Sequence, residues 1–413
     1  MRMITAAGKT NINRRQAMGG TAAAGIAAVL PKPSWARQIR MNMTDAAIKI
    51  GFCTDLAGPY QGVDGPAGAE AIRMAIEDMG GTVAGRRVEL LLGDHRNDPQ
   101  IAADIARTWF EEDGVDVVIG GVNSDTSLAM TALAARHGKP VFVVGAGTSV
   151  QTRERAAPSV IQYAYSTVAL ATVPGLGLTR QGLKRWFYIT AEYPFGRELQ
   201  AHGTAAVEAA GGTVVGSVGN PHGEVDFTPY LMAARDSDAE VLGLANGHAE
   251  LLKAMAAMKT MDLTRRMTLV GLLTFIDDIH DMGLQEAQGL YLADSWFWTR
   301  DPESRRWAAR FFARRQRMPS SLQAADYSAA LQYLKAVAAV NSTEPGIVLA
   351  HLRRTTFDDI YVRNGRLRED GTMLHDMYLL RVKEPKQSGG DWDFYELITT
   401  ISAEEAFPLS DRR

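Results

Sequence analysis

The chain has 413 residues, 46% of them apolar, with 44 basic side chains against 47 acidic ones and a formal net charge of −3. Such a balance suits neither nucleic acid nor anionic lipid, and the single cysteine, Cys53, excludes an internal disulfide and a cysteine-based zinc cluster. Single cores stop growing at roughly 250–300 residues, so this length predicts two domains.

Residues 1–36 contain Arg2, Lys9, Arg14, Arg15 and Lys32 but no acid, then an alanine-rich apolar run from Met18 to Leu30 and small residues at Ser34 and Ala36. This is the layout of an export signal, with cleavage expected after Ala36. The Arg14-Arg15 pair resembles a twin-arginine signal. Ala17 and Gly19 depart from that motif, which leaves both it and the general secretory route open. The apolar run is shorter than the roughly 20 residues that span a bilayer, so no membrane insertion is expected once the signal is removed.

From Ala46 the pattern alternates strand and helix. Ile48 to Phe52 reads as a strand, Cys53 to Pro66 as a glycine-rich loop, and a helix follows with Ala71, Ile72, Ala75 and Met79 on one face, stopped by Gly80-Gly81. Val88 to Leu92 is a strand, and Asp98-Pro99 caps a helix that reaches Glu112. Val117 to Ile119 is a buried strand, followed by Gly120 to Thr126 and a helix to His137 with Leu128, Ala132 and Ala135 on one face. Pro140 to Val144 is the next strand, ending in Gly145-Ala146-Gly147-Thr148. Parallel strands of this kind open their loops into one crevice, where free N–H groups and the hydroxyls of Ser124, Thr126 and Thr148 suit an anion. An ordinary helix cap and ordinary turn glycines account for the same residues about as well.

The rhythm restarts at Arg185. Strands are expected at Arg185 to Thr190, Thr213 to Ser217, Ala239 to Leu244, Met267 to Gly271 and Leu290 to Ala293. Helices are expected at Gly196 to Ala210, Thr228 to Arg235, Ala249 to Met258, Pro302 to Arg317 and Ser321 to Val340. The stretch Asp359 to Thr400, with strands at Met377 to Val382 and Phe394 to Ile398, reads as a meander. Two similar α/β halves with parallel, doubly wound sheets are the predicted architecture.

No dinucleotide fingerprint, Walker loop, His-Glu-x-x-His or Gly-x-Ser-x-Gly elbow is present, so no enzyme, metal or cofactor is expected. Asp94 to Asp98 lacks the spacing of a calcium loop.

The export signal, the two βα halves, the Asp55-Leu56-Ala57-Gly58-Pro59-Tyr60 loop and the Tyr193-Pro194-Phe195-Gly196 turn resemble type I periplasmic binding proteins. Within these the chain is similar to the leucine/isoleucine/valine-binding receptors that serve ABC transporters. Ala287 to Trp298, Arg363 to Arg366, Asp370-Gly371 and His375 to Tyr378 resemble a subgroup whose ligands are poorly assigned. The resemblance implies three crossing strands near Tyr165, Asp294 and 355–358. Lobe one would be 46–164 with 295–354, lobe two 166–293 with 358–400, and 401–413 a C-terminal tail. It implies a periplasmic receptor for a small carboxylate-bearing solute, a branched-chain or other amino acid or a relative, with a membrane ABC permease as partner. An aromatic or keto acid, an amide, and a sensor role are the alternatives.

The resemblance places the solute carboxylate at Ser124 and at Ala146, Gly147 and Thr148, and an aromatic at Phe195. Tyr60, Tyr165, Asn246, Thr274 and Phe275 complete the expected site; Trp296 is a further candidate wall, His248 a further contact. Where amino-acid-binding members carry a carboxylate for the ammonium, this chain reads Leu272-Leu273-Thr274-Phe275, so Glu192, Asp226 or Asp277 would have to supply it.

Overall fold

The computed structural model describes residues 46–247 and 249–409; the expected export segment, position 248 and the last residues of the tail lie outside them. The first sheet is built from β1 (Ile48–Thr54), β2 (Thr82–Val83), β3 (Arg86–Asp94), β4 (Val117–Gly120), β5 (Val141–Val143) and β6 (Val160–Gln162), in the order β2-β3-β1-β4-β5-β6. The second uses β7 (Arg185–Ala191), β8 (Thr213–Asn220), β9 (Val241–Ala245), β10 (Thr268–Gly271) and β11 (Tyr291–Asp294). A small hairpin, β12 (Arg366–Leu367) and β13 (Met373–Leu374), sits beside β6, where Thr372 bridges to Gln162, before β14 (Met377–Val382) and β15 (Tyr395–Ile401) join the second sheet. Its order is β15-β14-β11-β10-β9-β7-β8. Both sheets are parallel except at one edge: β2 is antiparallel to β3, and β14 and β15 are antiparallel to β11 and to each other.

The strands are parallel because they are apolar on both faces, which only helices on either side can cover. Ile48, Ile50, Phe52 and Cys53 of β1 are fully buried, as are Val117, Val118 and Ile119 of β4. The covering helices are α1 (Gly65–Asp78), α2 (Pro99–Thr108), α3 (Ser124–His137), α4 (Thr167–Arg180), α5 (Pro194–Ala209), α6 (Thr228–Arg235), α7 (Ala249–Thr260), α8 (Ile276–Met282), α9 (Leu284–Ala287), α10 (Pro302–Arg315), α11 (Ser321–Val340), α12 (Pro345–Leu352) and α13 (Ala403–Ala406). After β11 the chain returns to the first half, where α11 lies along α1, and it goes back to the second half at β14.

Several expectations need correction. β1 runs on through Cys53 and Thr54, because those residues pair with Gly120 of β4 and Asp94 of β3. The buried face of α3 is Met130, Leu133 and Ala134, with Thr126, Ser127 and Thr131; Ala132 and Ala135 are exposed. Trp296, expected as a wall of the site, lies beyond the end of β11 with Phe297 and Trp298. Trp296 is core: its indole N–H donates to Ile360 O at 2.8 Å and Ser304 Oγ at 3.1 Å. The strand β6 and the helices α4 and α12 were not anticipated. Every residue of α4 from Thr167 to Thr179 is buried, so the helix carries no polar stripe for a periodic pattern to mark.

The crossing segments hold one another. Tyr361 Oη donates to Ala164 O at 3.1 Å, His375 Nε2 lies 2.9 Å from the same oxygen, and Tyr163 and Tyr361 stack at 5.9 Å. At the end of β11, burial pushes the Asp294 carboxyl up to about 7, against hydrogen bonds from Ser321 and the Ser295 and Trp296 N–H groups.

Candidate functional site

Strand order reverses at β1, which has β3 on one side and β4 on the other, and again at β7, flanked by β8 and β9. Helices leave such neighbours toward opposite faces, so a crevice opens beyond their carboxyl ends. Four loops therefore matter: those after β1, β4, β7 and β9.

In the first half these loops are shaped by their own residues. The Asp55 carboxylate accepts the N–H groups of Gly58 at 2.7 Å and Tyr60 at 2.9 Å, which turns the chain and projects Tyr60. A Cβ on Gly58 would stand 2.4 Å from that carboxylate, so only glycine fits there. Asn123 caps α3 by accepting from Asp125 N at 2.8 Å and Thr126 N at 3.2 Å. Ser124 is left as the uncapped first amide of the helix.

In the second half the functional groups sit one step further along, on the helices. Glu250, in the first turn of α7, is buried. It accepts Gly223 N–H at 2.6 Å and the Asn246 amide at 3.0 Å, and lies 3.2 Å from His222 Nδ1. Asn246 also donates to Asn220 Oδ1 at 2.9 Å, and its own buried carbonyl oxygen has no partner among the described residues. Tyr193 stacks on Phe195 at 5.9 Å and packs on His222 at 4.7 Å.

The two crevices face each other. Burial pushes the Tyr60 phenol up, a hydrogen bond with Asn123 opposes this, and the negative charges of Glu250 and Asp55 add to it. Tyr193 is likewise raised, chiefly by burial, with Tyr60 and Glu250 as its polar neighbours. Tyr60 of the first half thus lies within electrostatic reach of Tyr193 and Glu250 of the second.

Beside them lies a cavity of about 40 Å³ lined by Tyr60, Val63, Val122, Gly145, Tyr165, Leu273, Phe275 and Asp278. Val63, Phe275 and Asp278 also wall an outer groove of about 220 Å³. There Arg317 bridges to Asp277 at 2.9 Å and Asp281 at 3.3 Å. A larger cavity, about 670 Å³, is lined by Glu240, Thr268 and Tyr291. It lies at the amino ends of the second sheet's strands, away from the crevice.

Of the expected site residues, Tyr60, Tyr165 and Phe275 line the inner cavity. Phe195 packs on Gly147, where an added Cβ would stand 3.0 Å from its ring and 3.2 Å from that of Tyr165. The Tyr165 hydroxyl donates to Gly145 O at 2.7 Å, and Ala146 O accepts from Gln162 Nε2 at 2.7 Å. The Thr148 hydroxyl donates to Glu198 at 2.9 Å. Thr274 is buried, and its hydroxyl, without a partner among the described residues, turns back toward Gly271, 2.2 Å from where a Cβ would be.

None of the three acids considered for the ammonium lines the inner cavity. Glu192 and Asp226 are exposed and Asp277 pairs with Arg317. Asp278 lines it instead, accepting Phe275 N–H at 2.8 Å. Glu250, Asp278, Tyr193, Val63, Val122 and Leu273 were missed. The signal available for the two acids was their place in the first turn of a helix after a strand.

Two α/β lobes, chain crossings between them and a cleft between the carboxyl ends of their strands define a two-lobed binding protein of the type I fold. The chain belongs to the periplasmic binding protein family, whose model matches residues 47–391. It is similar to a periplasmic binding protein from Burkholderia mallei, with 46% identity, a TM-score of 0.82, and coverage of 87% of this chain and 96% of that one. A branched-chain amino acid ABC transporter periplasmic ligand-binding protein from Burkholderia xenovorans LB400 is 34% identical, with a TM-score of 0.84 over 88% of this chain and 97% of the other. Leu/Ile/Val-binding protein homolog 6 of Brucella abortus is 25% identical over 197 residues, 47% of this chain and 49% of that protein. The match therefore spans about half the length of that relative.

Proposed function

We propose that the protein works in the periplasm, captures a small solute between its lobes and hands it to a membrane ABC permease. Lobe one comprises 46–164 and 295–354 and lobe two 166–293 with β14 and β15. The crossings lie near Tyr165 and Asp294 and, for the third, later than the expected 355–358, because Thr372 bridges to Gln162 of β6 and the chain joins the second sheet only at β14. The observation that carries this reading is the facing of the two strand-reversal crevices, with Tyr60, Val122 and Gly145 of one half and Leu273 and Phe275 of the other lining a single cavity. Ligand touching both sides stabilises the closed arrangement.

The favoured solute is an amino acid or a related amine-bearing acid. Glu250 and Asp278 supply negative charge for a buried ammonium, which is otherwise costly to desolvate. The Ser124 and Ala146 amides serve the carboxylate, while Tyr60, Tyr165, Leu273 and Phe275 cover an apolar side chain. The Burkholderia xenovorans relative, a branched-chain amino acid ABC transporter ligand-binding protein, supports this choice. The three rings on the cavity wall favour a second reading, an aromatic acid without an amine.

A thermal-shift screen of amino acids, keto acids and aromatic acids tests both. A solute bound only by the folded protein raises its apparent stability by RT ln(1 + [L]/Kd). Amino acids are expected to shift the melting temperature; no shift with any of the three classes contradicts the proposal.

A further inference from the structure

The Thr148 turn already holds a carboxylate, and it belongs to the protein. Glu198 projects from α5, on the second sheet's half, and accepts from Thr148 Oγ at 2.9 Å, Ser149 N at 2.9 Å and Ser149 Oγ at 3.0 Å, all on the first sheet's half. A fourth donor, Thr167 Oγ at 2.7 Å, lies on α4, which packs against α5 in Glu198's own half. Hydrogen bonds to an ionised acceptor are the strong kind. Three of the four here cross between the halves.

Shape agrees with charge at this point. Phe195 is three residues before Glu198 on the same helix and packs on Gly147, the residue before Thr148. Any motion that parts the halves must separate Phe195 from Gly147 and break the three crossing bonds together. Thr167 is tied to the turn as well, its N–H donating to Gly147 O at 2.7 Å.

We propose that Glu198 is the closure latch of the cleft. It takes the hydroxyl and amide donors of the Thr148-Ser149 turn when the lobes close, so that turn holds the lobes together and does not anchor the solute. This inference rests on the two-lobed reading above, but not on which solute is bound. Glu198 is a positioning residue: it acts on the solute only through the geometry of closure.

Amide hydrogen exchange of the full mature chain without added solute tests it. In wild type the Ser149 amide is protected by Glu198. In Glu198→Gln the carboxamide turns either a poorer acceptor or an N–H toward that amide, and Ser149 exchange is expected to rise about tenfold or more. Strand amides such as Val143 and Leu244 should stay unchanged. Thr148→Val removes one crossing bond and should speed Ser149 by a smaller factor, with no further gain when added to Glu198→Gln; it keeps the test open if the Gln variant folds poorly. Unchanged Ser149 exchange in the variants, or acceleration spread evenly over both sheets, overturns the latch. If no solute shifts the wild-type melting temperature while Ser149 stays Glu198-protected, the transport reading fails and the latch stands.

Discussion

The two sides of the cleft are built differently. In the first half the groups at the crevice sit in the loops themselves, held by short-range contacts: Asp55 to Gly58 and Tyr60, Asn123 to Asp125 and Thr126. In the second half the charged groups come from helices: Glu250 and Asp278 from the first turns of α7 and α8, and Glu198 from just beyond the first turn of α5. A loop can shape itself with local side-chain to backbone bonds. A carboxylate on a helix needs partners brought from elsewhere, such as Gly223 and Asn220 around Glu250 and Asn246.

The strongest way to break this comparison is Glu250→Gln. The second half should lose an ammonium partner and weaken an amine-bearing solute by about 100-fold, while stability falls by about 1–3 kcal/mol because Gly223 and Asn246 lose an ionised acceptor. Calorimetric titration and urea unfolding read the two effects separately. Full binding by the variant would move the amine elsewhere.

The next prediction concerns the exception in the first half. Asp64, just before α1, meets Asp326 from the distant helix α11 over Gly68, where a Cβ would stand 2.4 and 2.5 Å from an oxygen of each. Both are fully buried. Burial pushes Asp64 up to about 6, against hydrogen bonds from Asp326 and Thr54, and raises Asp326 further, with the charge of Asp64 adding to it. Two carboxyls this close share a proton. A carboxyl raised on folding binds its proton more tightly in the native state, so the pair's contribution to stability is greatest at low pH and falls as pH rises from about 4 through about 6. Asp326→Asn should flatten that fall by about 2 kcal/mol between pH 4 and 8, measured by urea unfolding. An unchanged pH profile would show that the pair holds no shared proton.

The smallest effect belongs to the self-shaped loops. Asn123→Ala should cost about 1 kcal/mol through the lost cap of α3. Asn123 touches the site only through the Tyr60 phenol and carries no charge, so solute affinity should fall much less than in the Glu250 variant, which titration on both proteins checks.

The same contrast explains what could be read from sequence. β14 matched its expected range of Met377 to Val382, and α11 its range of Ser321 to Val340, since each pattern is long and clearly bounded. The α4 helix left no periodic trace because it is apolar all round. On α3, alanines on several faces hid the true buried stripe of Met130, Leu133 and Ala134. Tyr60 and Phe275 stood out as aromatics in loops after strands. Glu250 and Asp278 did not, because an acid in a helix's first turn favours the helix dipole whether or not it faces a cleft. The partners that turn them inward come from other loops, and no local pattern records that.

The most direct test compares melting temperatures of wild type, Glu250→Gln and Arg266→Ala with a solute that stabilises the wild type. Arg266 lines the large cavity at the other end of the second sheet. Stabilisation lost in Glu250→Gln and kept in Arg266→Ala is the predicted result. Stabilisation that survives in the Glu250 variant and disappears in the Arg266 variant would place the solute outside the cleft.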